Sequence, residues 1–141
     1  MPSVPESPEV VSILRSAKRI AVVGLSPRPE RPSHSVAHYL QRAGYTVVPV
    51  RPGTPGPILG ETVYPDLRAA AAAGPIDIVN IFRQPSALPA LVEPVIAVRP
   101  RLVWMQLGVV DPDVASRIEA AGIPVVMDRC LAVEHNLLLR P

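Results

Sequence analysis

One cysteine, Cys130, stands in the sequence of 141 residues. That excludes an internal disulfide framework and a multi-thiolate metal site within one chain. Aromatic side chains are scarce, limited to Trp104, Phe82, Tyr39, Tyr45 and Tyr64. They supply a poor stacking platform for single-stranded nucleic acid. A net charge of +2 is too small to hold nucleic acid by bulk electrostatics. No apolar run approaches the length of a membrane span. The N-terminus "MPSVPESPEV" lacks a basic stretch followed by an apolar core, so no signal peptide is expected and a cytosolic protein is predicted. A three-glycine dinucleotide fingerprint is also missing.

What remains is an ordinary globular composition, 48% apolar and 18% charged, sized for one domain over residues 1–141 with 1–12 loosely ordered. Five short apolar runs recur: "RIAVVGL" (19–25), "YTVVPV" (45–50), "IDIVNIF" (76–82), "RLVWMQL" (101–107) and "IPVVMD" (123–128). They are rich in valine and isoleucine and seldom alternate with polar residues, as in strands buried on both faces of a parallel sheet. Helical patterns lie between them. "SHSVAHYLQRAG" repeats apolar positions at helical spacing and stops at Gly44. "SALPALVEPVIAV" does the same, with Pro94 expected to kink or shorten it. "DPDVASRIEAAG" opens with Asp111 as N-cap and Pro112 at the first helical position. "EVVSILRSA", "DLRAAAAAG" and "CLAVEHNLLL" add short helices. The alternation predicts an α/β, Rossmann-like doubly wound sheet of about five parallel strands, order 3-2-1-4-5, with helices on both faces. The Pro- and Gly-dense stretch 51–65 is read as a functional or covering loop.

Ligands of such sheets bind outside the carboxyl ends of the strands. Here those ends carry Gly24, Leu25 and Ser26; Val50 and Arg51; Phe82 and Arg83; Gln106 and Gly108; and Asp128, Arg129 and Cys130. Arg28 and Arg31 lie in the first loop. So many arginines point to an anionic ligand with more than one phosphate. Gly24 lets the backbone turn and approach a ligand. Ser33 is read as the N-cap of the first crossover helix, whose amide groups and dipole suit a pyrophosphate. Strand 2 ends in Arg51 where an NAD-binding domain places an acid for the ribose hydroxyls. An arginine there fits a ribose phosphate, which leaves NADP or coenzyme A.

The blocks "AVVGLSPRPERPSHSVAHYLQRAGYTVVPVRP", "ILGETVYPDL", "DIVNIFR", "VWMQLGV" and "VVMDRCLAVEH" resemble the small bacterial and archaeal CoA-binding proteins. Those are single-domain relatives of the CoA-binding domain in the succinyl-CoA synthetase α subunit. The resemblance runs from about residue 13 to 139. It implies a domain that binds CoA or an acyl-CoA, without established catalysis of its own. It places Gly24, Ser26, Ser33 and His34 along the pyrophosphate, with Arg28 and Arg31 nearby. Val50 and Arg51 would face the adenosine and its 3′-phosphate. Phe82 and Arg83 would line the adenine or pantetheine path, and Gln106 and Gly108 the pantetheine arm. The synthetase's phosphorylated histidine belongs to a second domain with no counterpart here, so that activity is not implied.

The residues offer no paired carboxylates and no complete nucleophile–base set. His34 and His38 share a helix face but lack a third ligand for zinc. Cys130 follows the last strand at an expected helix start and is read first as a small packing residue. The competing readings are an NADP-binding oxidoreductase-like domain and a CoA-dependent enzyme using Cys130. The expected partner is a small molecule, with a partner enzyme left unidentified, and neither nucleic acid nor membrane.

Overall fold

The computed structural model describes residues 2–139. Helix α1 (Pro8–Ser16) leads into β1 (Arg19–Val23), then α2 (Pro32–Arg42) and β2 (Thr46–Val50). After a long loop come α3 (Leu67–Ala72) and β3 (Ile78–Ile81). Two 3₁₀ turns, Pro85–Ala87 and Pro89–Leu91, precede α4 (Val92–Val98) and β4 (Leu102–Met105). The chain continues with α5 (Pro112–Ala120), β5 (Val125–Val126) and α6 (Leu131–Leu139).

Ser7, Asp66 and Asp111 cap α1, α3 and α5 by accepting from Val10, Ala69 and Val114 amides. Each satisfies a donor the helix itself cannot pair. The segment read from sequence as one helix over 86–98 is split. Pro85 and Pro89 each begin a 3₁₀ turn, and α4 itself starts only at Val92. Pro94 falls in the first turn of α4, where its missing N–H has no partner to lose.

All strand pairs are parallel, in the order β2-β1-β3-β4-β5. The doubly wound α/β class is as expected; the order 3-2-1-4-5 is corrected to 2-1-3-4-5. Two local facts explain the difference. Pro49 in β2 cannot donate to a second neighbour, which suits an edge strand. The outer side of β2 is instead taken by Tyr64, which accepts from the Arg51 amide and donates to Pro49 O. The loop after β2 therefore occupies the place a third strand would need, and β3 crosses back to pair with β1. All four β3 residues are buried, as its inner position demands.

Strand side chains alternate between two apolar layers. Ala21, Val23, Val48, Val79, Ile81 and Val103 pack with α3, α4 and α5. Ile20, Val22, Val47, Ile78, Leu102 and Trp104 pack with α1, α2 and α6. Leu14, Leu40 and Leu131 are at most 1% exposed in that second layer. Burying each contributes about 1.5–3 kcal/mol. Near the N-terminus, Ser3 N–H donates to Val125 O at 2.7 Å, and Val10 is fully buried in α1. No helix among the described residues is long and apolar enough to cross a membrane.

Candidate functional site

The order 2-1-3-4-5 puts the reversal of winding between β1 and β3, where α/β sheets open a crevice at the carboxyl edge. Gly24 sits there at φ +87°. A Cβ at Gly24 would lie 2.2 Å from Phe82 O and 3.1 Å from Arg83 Cδ. Only glycine lets the end of β1 approach the β3 loop this closely. Val23 O accepts from Phe82 N at 2.8 Å and Val50 O from Gly24 N at 2.9 Å, which ties the three strand ends together.

A cavity of about 740 Å³ opens at this edge. Of the residues marked from sequence, Gly24, Ser26, Arg28, Arg31 and Ser33 line it on the β1–α2 side. Arg51, Phe82, Arg83, Gln106 and Gly108 line it from the other strand ends. An adjoining hollow of about 660 Å³ shares Arg31, Arg51 and Arg83 and reaches Pro52 and Ser86. Three marked residues lie apart. Leu25 and Val50 are buried on opposite faces of the sheet, at 0% and 3% exposure. Val50 ends β2, where alternate side chains turn into the core, and Leu25 enters the other layer just after the turn at Gly24. His34, in the first turn of α2, is not among the lining residues, and His38 is exposed.

Ser33 does not cap α2. The helix starts two residues earlier than a Ser33 cap would set it, with Arg31 at the N-cap and Pro32 at the first helical position, and no side chain caps it. The Ser33 hydroxyl instead accepts from the Ser26 amide at 3.0 Å, and the Ser26 hydroxyl from the Arg28 amide at 3.1 Å. Both hydroxyls are buried, line the cavity and keep a proton to donate. The uncapped start of α2 opens onto the same space through Pro32 and Ser33, and such a terminus attracts anions.

Arg28 pairs with Glu30 at 3.3 Å in an exposed contact, worth about 0–1 kcal/mol. Arg31, Arg51 and Arg83 have no acidic partner among the described residues. Three guanidinium groups without counter-charge around one crevice leave positive charge for an anion to neutralise.

Leu107 and Val109, on either side of Gly108 after β4, give the cavity an apolar end, and Val36 and Pro85 add further apolar wall, which the sequence reading missed. Leu107 and Val109 flank a residue that was marked, and their contribution follows from the turn at Gly108. That turn is fixed by Gly108 N–H donating to Asp128 Oδ1 at 2.8 Å. Cys130 also lines the cavity. Gln106 is 5% exposed. Its Oε1 accepts from Asn80 Nδ2 at 3.1 Å and Leu131 N at 3.0 Å. His135, within α6, is stacked edge-on against Tyr39 and Tyr45 and is not among the residues that line the cavity. Among the described residues no three His, Cys, Asp or Glu side chains cluster as metal ligands do.

Comparison with known proteins bears on the fold and the family. The chain is 40% identical over 131 residues to the uncharacterized protein YneT of Bacillus subtilis (strain 168), covering 93% of this chain and 95% of that one. A solved structure of a Thermus thermophilus protein, cell-free ID.343, is 43% identical with a TM-score of 0.88, over 93% of this chain and 97% of that one. A hypothetical protein from Pyrococcus horikoshii OT3 is 33% identical with a TM-score of 0.87, over 99% of this chain and 96% of that one. Residues 18–136 match the family described as "CoA binding domain", and the chain belongs to that family.

Proposed function

We propose that this protein binds coenzyme A, or an acyl-CoA, in the crevice at the carboxyl edge of the sheet, and acts as a binding protein without catalysis of its own. The observation that carries the reading is the set of unpaired guanidiniums of Arg31, Arg51 and Arg83 around one cavity. The diphosphate lies against the start of α2 and the Ser26 and Ser33 hydroxyls. Arg51 reads the ribose 3′-phosphate. The pantetheine arm runs along Gln106 and Gly108 toward the apolar end. Membership of the CoA-binding family supports the ligand class.

A thermal-shift panel with CoA, acetyl-CoA, dephospho-CoA, NADP and NAD tests this. A ligand at a hundred times its dissociation constant adds about 2.7 kcal/mol of stability. CoA and acetyl-CoA stabilise the protein, and dephospho-CoA does so less. A shift with NADP alone overturns the reading in favour of a dinucleotide, whose 2′-phosphate Arg51 would also suit.

A further inference from the structure

Arg51 follows β2 and Cys130 follows β5, with β1, β3 and β4 between them, and both line the same cavity. At about 4.8 Å per strand the four intervals span roughly 19 Å. A ligand that touches both ends needs a long arm beyond its nucleotide. The Cys130 backbone is held on both sides. Trp104 Nε1 donates to Arg129 O at 2.8 Å, and Leu131 N donates to Gln106 Oε1 at 3.0 Å.

Gln106 supplies an independent sign of a ligand at this end. A backbone N–H can only donate, so the Leu131 bond forces the Gln106 oxygen to point inward. No hydrogen bond among the described residues takes its Nε2, and Gln106 lines the cavity. A side chain 95% buried, with two N–H donors left unpaired, asks for carbonyl acceptors from a bound molecule. A pantetheine arm carries two amide carbonyls and ends in a thiol. Leu107, 70% exposed, marks an open mouth beside this end.

Resting on the reading that CoA occupies the crevice, we infer that Cys130 is where its thiol end meets the protein, and that Cys130 captures CoA from CoA disulfide as a mixed disulfide. The Cys130 thiol loses its proton to solvent, and Sγ attacks one sulfur of CoA disulfide. The Sγ–S bond forms, the CoA S–S bond breaks, and the electron pair leaves with the second CoA as its thiolate. CoA disulfide is itself the oxidant. The departing half exits at the open mouth. No second cysteine exists in the chain to displace the adduct, so it persists until an external thiol removes it.

The test is intact-mass kinetics on reduced protein offered CoA disulfide or pantethine, the disulfide of the same arm without the nucleotide. Docking the nucleotide raises the local disulfide concentration, so CoA disulfide adds one CoA at Cys130 about tenfold faster than pantethine adds its half. Acetyl-CoA, which has no free thiol, slows the reaction by occupying the crevice. Cys130→Ser takes no adduct. Equal rates for the two disulfides, no adduct at Cys130, or indifference to acetyl-CoA overturns the inference. Thermal shift of the wild-type protein with acetyl-CoA separates the two claims. Stabilisation without adduct sinks the capture alone, and no stabilisation sinks the binding reading itself.

Discussion

Arg51→Gln removes one charge from the crevice while leaving its frame in place. The Arg51 amide still donates to Tyr64 O at 2.9 Å, so the main chain after β2 keeps its anchor. The guanidinium has no acidic partner to strand and is half-buried. Its loss therefore costs folding little, and the effect falls on the ligand. A hydrogen bond to a charged group is worth about 1.5–3 kcal/mol. Partial exposure argues for the lower half of that range, about 1.5–2 kcal/mol, or roughly 10–30-fold in affinity. Calorimetric titration of both proteins with CoA and dephospho-CoA at one fixed ionic strength closes a cycle between the side chain and the phosphate. The wild type prefers CoA by that factor, and Arg51→Gln brings the two ligands level. Added salt narrows the wild-type preference, because the contact is partly screened. If Arg51→Gln weakens both ligands equally, Arg51 contributes general positive charge and does not read the 3′-phosphate.

Gly24→Ala forces a Cβ to within 2.2 Å of a main-chain oxygen at a positive φ, so urea denaturation should register a loss of at least about 3 kcal/mol. Gln106→Leu removes both the acceptor for the Leu131 amide and the free N–H donors. It should weaken CoA about tenfold and leave adenosine 3′,5′-bisphosphate, which lacks the arm, unchanged in titration. Burial, and then neighbouring Tyr39, pushes the Tyr45 phenol from the ordinary 10.0 up to about 12. The folded state thus favours the protonated phenol, whose OH donates to Leu14 O. That contribution is complete below pH 10 and is lost as pH rises from 10 through 12. Its ceiling is about 2.7 kcal/mol, lowered by solvent screening. Tyr45→Phe should flatten this alkaline loss in a pH series of denaturation curves.

The strand cores were legible because β1 to β4 are short Val- and Ile-rich runs, and Asp111–Pro112 announced α5 by its capping chemistry. The sheet order was also written in the chain, in Pro49, but its meaning depends on knowing that no second strand asks β2 for that missing donor. Most of the marked crevice residues converge because they follow strand ends, a rule of topology. Leu25 and Val50 obey the same rule in sequence yet turn inward, Val50 by the pleat of β2 and Leu25 after the turn at Gly24. The role of Ser33 was misjudged by two helical positions: Arg31 stands at the N-cap and Pro32 at the first helical position, and Ser33 braces Ser26 across seven residues. The Asn80–Gln106–Leu131 chain joins three separate elements, and no local pattern in the sequence announces it.

The Tyr64 main chain beside β2 does more than set the strand order. An open sheet edge offers unpaired donors and acceptors to any passing strand. Here the carboxyl half of the β2 edge is already engaged by Tyr64, and Pro49 contributes no donor. At the other edge β5 is two residues long, and Ser3 already donates to it. Both flanks of the sheet are blunted against pairing with another copy. Strand pairing between copies is thereby disfavoured at both flanks of the sheet whose carboxyl edge carries the arginine-ringed crevice.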